Sequence, residues 1–261
     1  MAQGLTAAFE IAQPRIRARL QEPVSPLAVP ANRLGRAPGG DISGRERPGA
    51  VAALLPGGRL HLQHGPIDIV AEAFGEPGAV RAGYVRAAAR FATVLVELVA
   101  ELPALRSVEV PVVGVVARRM ALAVVPFRPS FITPMAAVAG AVAEEVLGAL
   151  VGPGIVRAYV NNGGDIALWL QPGESLTCAL VATGGLDRVT VRGKDLARGI
   201  ATSGWRGRSF SLGIADAVTV LAQTAAMADA AATMVANAVD LDHPAIGRRP
   251  ARELQCYSDL G

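Results

Sequence analysis

The sequence predicts an α+β fold, with an antiparallel or mixed sheet and packed helices. Helical and strand patterns occur in separate blocks, and single strands do not alternate regularly with single helices. The chain has 261 residues, of which 51% are hydrophobic and 18% charged, a balance that provides one sizeable core. Together these observations indicate a globular domain in which helices cover a sheet.

The predicted helices lie at both ends of the domain and at its centre. The first spans 80–102, with Arg86, Arg90, Glu97 and Glu101 on one polar face. A second begins at Thr133 and Pro134, with Thr133 as N-cap, and ends near Leu150. The last spans 224–239. Strands are predicted at 59–62, 67–73, 107–116, 120–127, 154–160, 166–170, 175–181, 188–191, 199–202, 209–212 and 217–221.

Composition divides the chain into three predicted segments. Residues 1–50 hold six prolines and are expected to form a poorly ordered extension, residues 51–240 the folded domain, and residues 241–261 a C-terminal tail. The first segment, with seven arginines and four acidic residues, accounts for the whole net charge of +3. Since the domain is neutral and only 4% of residues are aromatic, nucleic-acid binding is not expected.

The sequence also favours a cytoplasmic protein with no membrane contact. The uncharged run after Arg128 ends before Glu144 and contains Pro134, so it is shorter than the roughly 18–20 residues that cross a bilayer. Glu10 interrupts the stretch in which a signal peptide would be apolar. Cys178 and Cys256 have no paired spacing, and reduced thiols are therefore expected.

A polar stripe on the last predicted helix is the most informative feature for function. Asp229, Thr233 and Asn237 are four residues apart and lie on one face among alanines and other small residues. One interpretation is a thin solvent-facing stripe. The other is a metal site, because short oxygen-bearing side chains suit a hard cation such as Mg²⁺.

A turn flanked by polar residues is the second candidate feature. In the segment VNNGGDI, Asn161 ends a strand, Gly163 and Gly164 form a turn, and Asp165 begins another strand. Such a turn is commonly no more than a hairpin connection. The functional interpretation is that side-chain-free backbone approaches a ligand, with hydrogen bonds from Asn161 and Asp165.

Two further segments could bind phosphate. Thr202, Ser203 and Gly204 form a hydroxyl-rich turn after a short strand, which is equally typical of an ordinary polar loop. The N-terminus of the helix that begins at Pro134 presents free backbone N–H groups, and these favour an anion.

The three motifs, in this order, resemble the superfamily of FAD:protein FMN transferases, the ApbE-like proteins. VNNGGDI is similar to its V-N-x-G-G-D-I segment, IATSG to its T-S-G segment and DAAAT to its D-A-x-x-T segment. The resemblance covers about residues 55–240 and is closest to short cytoplasmic members that lack a lipoprotein signal.

This resemblance assigns expected roles to residues. It implies an ApbE-like fold and a Mg²⁺ ion held by Asp229, Thr233 and the backbone carbonyl of Val138, with Asp229 also catalytic. It further implies that FAD or FMN is bound by the turn and loop residues, which are Asn161, Gly163, Gly164, Asp165, Thr202, Ser203 and Gly204.

Two departures from the family pattern leave the activity open. Ala139 stands where the transferases have a lysine, and the segment from Ser209 to Asp216 has no histidine where they have one. The leading hypothesis is a divergent protein that binds a flavin nucleotide or another phosphate-bearing cofactor with Mg²⁺, and that transfers FMN to a hydroxyl of an acceptor protein if it is an enzyme. The alternatives are a non-catalytic cofactor carrier or sensor, and an assembly protein. Helices rich in small residues make a homodimer an expected state.

Overall fold

The computed structural model describes residues 9–10, 49–182, 185–207, 211–250 and 253. They form the predicted α+β fold, whose main element is a seven-stranded, fully antiparallel sheet. Its strands, in the order in which they lie side by side, are β10 (Val218–Ala222), β9 (Gly199–Ser203), β6 (Asp165–Leu170), β5 (Ile155–Asn162), β4 (Ile67–Gly75), β3 (Leu60–His64) and β2 (Val51–Leu54). A smaller antiparallel sheet contains β1 (Phe9–Glu10), β7 (Ser175–Ala182) and β8 (Gly185–Arg192).

Five α-helices are present in the described part of the chain: α1 (Pro77–Ala100), α2 (Leu102–Leu105), α3 (Val115–Val124), α4 (Val138–Leu150) and α5 (Ala225–Ala238). Helix α1 packs on β3 and β4, α4 on β5 and β6, and α5 on β9 and β10. Within the described residues, none of these helices combines the length and apolar character that a membrane span requires.

The core lies between these helices and one face of the main sheet. Strand residues alternate between the two faces, so every second side chain of β3, β4 and β5 is buried against the helices. The fully buried residues of these three strands are Leu60, Leu62, Ile69, Ala71, Ile155, Ala158 and Val160. The smaller sheet covers the opposite face at β6 and β9, where Leu168, Val191 and Ile200 form a second cluster.

The sequence-based prediction of two strands at 107–116 and 120–127 is wrong. The segment contains helix α3, whose buried residues Val116, Met120 and Val124 recur every four positions. The Glu101 carboxylate accepts hydrogen bonds from the backbone N–H groups of Val113 (2.6 Å) and Gly114 (2.7 Å) and so stabilises the start of this helix from outside it. A short apolar run rich in valine does not reveal such a cap.

Two other boundaries also need correction. Thr133 makes no side-chain capping bond, Pro134–Ala137 is a 3-10 turn, and the α-helix begins only at Val138. In the predicted strand at 209–212, residues 209 and 210 lie outside the described residues, and Ser211 and Leu212 belong to a loop. The division into an extension, a domain and a tail stays a prediction, because most of residues 1–50 and the end of the tail also lie outside the described residues.

Candidate functional site

The β5–β6 hairpin carries the VNNGGDI motif to one end of the main sheet. Asn162 pairs with Asp165 across a two-residue turn, in which Gly163 and Gly164 have φ angles of 66° and 120°. The angle at Gly163 is left-handed and favours glycine, and the angle at Gly164 is one that only glycine adopts without strain. The side-chain oxygen of Asn161 accepts a hydrogen bond from the Gly164 N–H at 2.8 Å. Formation of the turn therefore accounts for Asn161 and both glycines, and Asp165 is the member of the motif that is left to act on a ligand.

Asn162, which the sequence interpretation left out, links this hairpin to helix α4. Its side chain is 8% exposed, and Nδ2 donates a hydrogen bond to the backbone oxygen of Ala139 at 3.1 Å. Ala158 and Val160 face the helices from the same strand, and alternation puts Asn162 on that face too. This alternation is the signal that could have identified it.

The carboxylate of Asp229 binds the start of helix α4. Its Oδ2 atom accepts a hydrogen bond from the Gly140 N–H at 2.9 Å, and the Ala139 N–H donates to the same carboxylate. The first turn of a helix favours a negative charge. The start of this helix, which the sequence analysis expected to favour an anion, thus binds a carboxylate supplied by α5. Asp229 points into the domain and not to solvent.

Asp165 and Asp229 lie close enough for their charges to interact. Burial raises the pKa of Asp165 well above its usual value, the nearby charge of Asp229 raises it further, and a hydrogen bond from the Thr202 backbone N–H opposes both effects. Burial likewise raises the pKa of Asp229, to about 7, against the two hydrogen bonds from α4. Two carboxyl groups that resist ionisation together form a site in which a cation would relieve the repulsion.

The Thr202-Ser203-Gly204 segment contributes mainly through its backbone. The Thr202 N–H binds Asp165, whereas the Thr202 hydroxyl lies 2.8 Å from the hydroxyl of Thr219 on the neighbouring strand. Ser203 is 6% exposed. A Cβ on Gly204 would lie 2.2 Å from the backbone oxygen of Asp216, so the close approach of the two segments that flank β9 and β10 requires this glycine. The Thr202 hydroxyl, which was expected to bind the ligand, is thus already hydrogen-bonded to Thr219.

The other members of the predicted metal set lie near Asp229 along the two helices. Thr233 is partly buried one turn further along α5, on the side that Asp229 occupies. Val138 is the first residue of α4, two positions before Gly140. Asn237, the third member of the stripe, accepts a hydrogen bond from the Leu212 N–H at 2.9 Å and so fixes a loop. The stripe therefore divides into a part near the site and a structural part.

The backbone of the Gly163-Gly164 turn can be approached closely. Gly164 is buried, yet a Cβ built on it would meet no heavy atom within 4 Å. Gly140 is different, since a Cβ there would lie 2.2 Å from the oxygen of Ala225. Space for ligand atoms therefore exists beside the turn, next to Asp165, and not at Gly140.

The two departures from the transferase pattern have defined positions. The backbone N–H of Ala139 donates a hydrogen bond to Asp229, and its backbone oxygen accepts one from Asn162. The methyl side chain of Ala139 adds no charge to the site. In the segment without a histidine, Ser209 lies outside the described residues, and Asp216 pairs with Arg206 (2.9 Å) and accepts a hydrogen bond from Trp205 (3.0 Å). The site is consequently built from carboxylates and backbone groups.

The raised pKa of Asp229 predicts an unusual pH dependence of stability. The metal-free folded protein holds the Asp229 proton more tightly than the unfolded chain does. This contribution to the free energy of unfolding is full below about pH 4, where the unfolded carboxyl is also protonated, and is lost as the pH rises to about 7. In a chelating buffer, the melting temperature of wild type relative to that of Asp229→Asn should fall between pH 5 and pH 7.5. Parallel curves for the two proteins, measured by differential scanning calorimetry, would contradict the assignment.

The chain belongs to the protein family described as "AbpE bacteria", whose model it matches over residues 52–261. It is also similar to archaeal proteins named UPF0280 protein. The relative from Methanococcoides burtonii is 36% identical over 118 residues, which are 44% of this chain and 49% of the relative. The relative from Methanopyrus kandleri is 37% identical over 157 residues, which are 56% and 60% of the two chains. The chain thus spans about half the length of the curated relatives it matches.

Proposed function

We propose that this protein binds a flavin nucleotide, or a closely related phosphate-bearing cofactor, together with Mg²⁺ at the site formed by Asp229 and Asp165. The observation that carries the proposal is the convergence of these two carboxylates between the start of α4 and the Gly163-Gly164 turn. Membership of the "AbpE bacteria" family and the order of the three motifs support a flavin as the ligand.

The chemistry of the donors fits Mg²⁺ bound jointly with a phosphate. Within the described residues, no group of three or more histidine, cysteine, aspartate or glutamate side chains could hold a metal ion. Mg²⁺ is commonly held by one or two carboxylates together with phosphate oxygens of a substrate. Asp229 would be the principal ligand, with Thr233 and the Val138 carbonyl beside it, and the nucleotide phosphates would complete the coordination. Metal binding and nucleotide binding should therefore depend on each other.

The open space beside the turn suits a phosphate held through the metal ion. The N–H groups at the start of α4 and of Thr202 are occupied by the carboxylates of Asp229 and Asp165, so they fix these carboxylates and are not free to bind a phosphate themselves. The space next to Gly164 allows a ligand to lie against the turn. Such a site selects a ligand by its phosphates and leaves the organic part of the cofactor to other surfaces.

If the protein is an enzyme, the reaction that fits is transfer of FMN from FAD. The hydroxyl oxygen of an acceptor protein would form a bond to the FMN phosphorus, the phosphoanhydride bond would break, AMP would leave and the hydroxyl proton would pass to solvent. Bound Mg²⁺ supplies stabilisation of the charge that develops on the phosphate oxygens. The hydrogen bonds from Ala139 and Gly140 would fix the position of the Asp229 carboxylate relative to helix α4.

A second candidate is a carrier or sensor that binds the cofactor without turnover. Position 139, whose backbone lies at the centre of the site, carries a methyl group where the transferases carry a lysine. A lysine ammonium group there would place a positive charge next to the phosphates, and Ala139 supplies no such charge. The carrier retains affinity because the carboxylates and backbone groups remain.

Incubation with FAD and Mg²⁺ separates these candidates. We expect FAD with Mg²⁺ to raise the melting temperature of the purified protein by several degrees, and EDTA to reverse the effect. AMP released during the incubation, measured by chromatography, identifies the transferase, whereas binding without AMP identifies the carrier. If neither FAD nor FMN stabilises the protein at millimolar Mg²⁺, the proposed function is wrong. An assembly protein would instead form oligomers whose size, measured by native mass spectrometry, does not change when FAD or Mg²⁺ is added.

A further inference from the structure

Helices α4 and α5 cross in direct backbone contact at a glycine. A Cβ on Gly140 would lie 2.2 Å from the oxygen and 2.4 Å from the carbonyl carbon of Ala225. No side chain separates the two helices at this point, so a small displacement of one helix is transmitted directly to the other. The geometry of the candidate site, which contains atoms from both helices, depends on this crossing.

A carboxylate of each helix accepts a hydrogen bond from a backbone N–H group at the start of the other helix. Asp229 of α5 binds the Gly140 N–H at 2.9 Å, and Glu144 of α4 binds the Ala226 N–H at 2.7 Å. Glu144 follows Gly140 by one helical turn, and Ala226 precedes Asp229 by about one turn. The two bonds therefore lie on either side of the crossing and together fix both the rotation and the axial position of α5 relative to α4.

Arg119 of helix α3 orients the Glu144 side chain. Its Nε atom lies 3.1 Å from Oε2 of Glu144, while Oε1 of the same carboxylate binds Ala226. Arg119 also donates to the Ala141 oxygen at 3.2 Å and to Glu145 at 2.9 Å. The Glu144 side chain is 19% exposed. A charge-assisted pair on one oxygen thus leaves the other oxygen fixed toward α5.

We propose that Glu144 is a positioning residue for the Asp229 site and that Arg119 supports it. This inference rests on the proposed function only for its effect on metal binding. Loss of Glu144 leaves the Thr224 cap of α5 in place but removes the bond that ties the start of α5 to α4. The Asp229 carboxylate, one turn further along, then loses its fixed distance to the α4 N–H groups. Substitution of a residue that orients a metal ligand commonly lowers the affinity for the metal by about 10–100-fold.

Glu145 provides a matched control. It is the adjacent residue, its side chain is 15% exposed, and it pairs with Arg90 at 2.7 Å and with Arg119 at 2.9 Å. Its partners lie on α1 and α3, whereas Glu144 reaches α5. Glu145→Ala therefore removes two ion pairs of the same kind, and leaves the Arg119–Glu144 pair and the link to Ala226 in place.

Two measurements on Glu144→Ala, Glu144→Gln and Glu145→Ala test the inference. The first is hydrogen exchange of the Ala139 and Gly140 amides in metal-free protein. We expect faster exchange in Glu144→Ala, wild-type exchange in Glu145→Ala, and a smaller effect in Glu144→Gln, whose amide oxygen still accepts a hydrogen bond from Ala226. Glu144→Gln has the same size as wild type and serves if the alanine variant does not fold.

The second measurement is the affinity for Mn²⁺ in the presence of FAD. Glu144→Ala should bind Mn²⁺ about 10–100-fold more weakly, and Glu145→Ala within about twofold of wild type. Wild-type amide exchange in Glu144→Ala, or equal effects of Glu144→Ala and Glu145→Ala, would overturn the inference. If wild type itself binds no Mn²⁺, the proposed function fails, and the exchange measurement still decides whether Glu144 positions Asp229.

Discussion

Gly140→Ala is expected to destabilise the protein by about 3 kcal/mol, at the upper end of the range for overpacked cores. The added Cβ would lie 2.2 Å from the oxygen of Ala225 and 2.7 Å from the Ala226 nitrogen, and both are backbone atoms that cannot rotate away. Helices α4 and α5 must therefore separate. The melting temperature should fall by roughly 6–12 °C for a domain of this size, as measured by calorimetry or chemical denaturation.

Gly148→Ala on the same helix is the control for helix propensity. Gly148 is exposed, and a Cβ there would meet no heavy atom within 4 Å. Alanine in a helix is favoured over glycine by about 0.5–1 kcal/mol, so this variant should be as stable as wild type or slightly more stable. If both variants behave alike, the close crossing of α4 and α5 is wrong.

Asp229→Asn is expected to lower the Mg²⁺-dependent affinity for FAD by at least about tenfold, because it removes the principal anionic ligand. The metal-free variant should fold normally. The amide oxygen of asparagine still accepts a hydrogen bond from Gly140, and the substitution removes a carboxyl group whose pKa burial has raised to about 7. Affinity is measured by titrating FAD into protein with Mg²⁺ and, separately, with EDTA.

Asp68→Asn is the matched control for this substitution. The Asp68 side chain is 57% exposed and lies 2.9 Å from His61 on the sheet face that points away from the helices. It should leave FAD affinity and its Mg²⁺ dependence unchanged. An Asp229→Asn protein that binds FAD with the wild-type dependence on Mg²⁺ would remove Asp229 from the site.

The features that the sequence predicted best depend on local patterns. Strand-forming runs bounded by turn residues predicted β3, β4, β5 and β6, and the long helical pattern predicted α1. The polar stripe on α5 led to Asp229, because a short acidic side chain among alanines is unusual for a solvent-facing surface. These signals are contained in neighbouring residues and need no knowledge of the fold.

The features that could not be predicted depend on contacts between distant residues. Helix α3 begins where Glu101 accepts two N–H bonds, and α4 where Asp229 does so. In both cases a carboxylate outside the helix stabilises its start, whereas sequence rules look for a cap within the segment itself, such as the Thr224 side chain that caps the correctly predicted α5. This explains why α3 was predicted as strands and why α4 begins four residues later than expected.

The functional residues divide in the same way. Asp165 and Asp229 are 64 positions apart, and only the fold brings their charges together. Asn162 occupies the position at which the motif is variable, yet its place on the helix-facing side of β5 makes it the bond donor to Ala139. Motif matching therefore found the acidic residues and missed the amide that connects the two halves of the site.

The most direct test of the central claim is to locate a metal ion in crystals grown with Mn²⁺ and FAD, using anomalous scattering from manganese. We predict one strong peak in contact with the Asp229 carboxylate, on the side of α5 that faces Asp165, with nucleotide phosphate oxygens among its ligands. A structure in which FAD is absent, or in which manganese binds elsewhere while Asp229 keeps only its hydrogen bonds to α4, would contradict the claim.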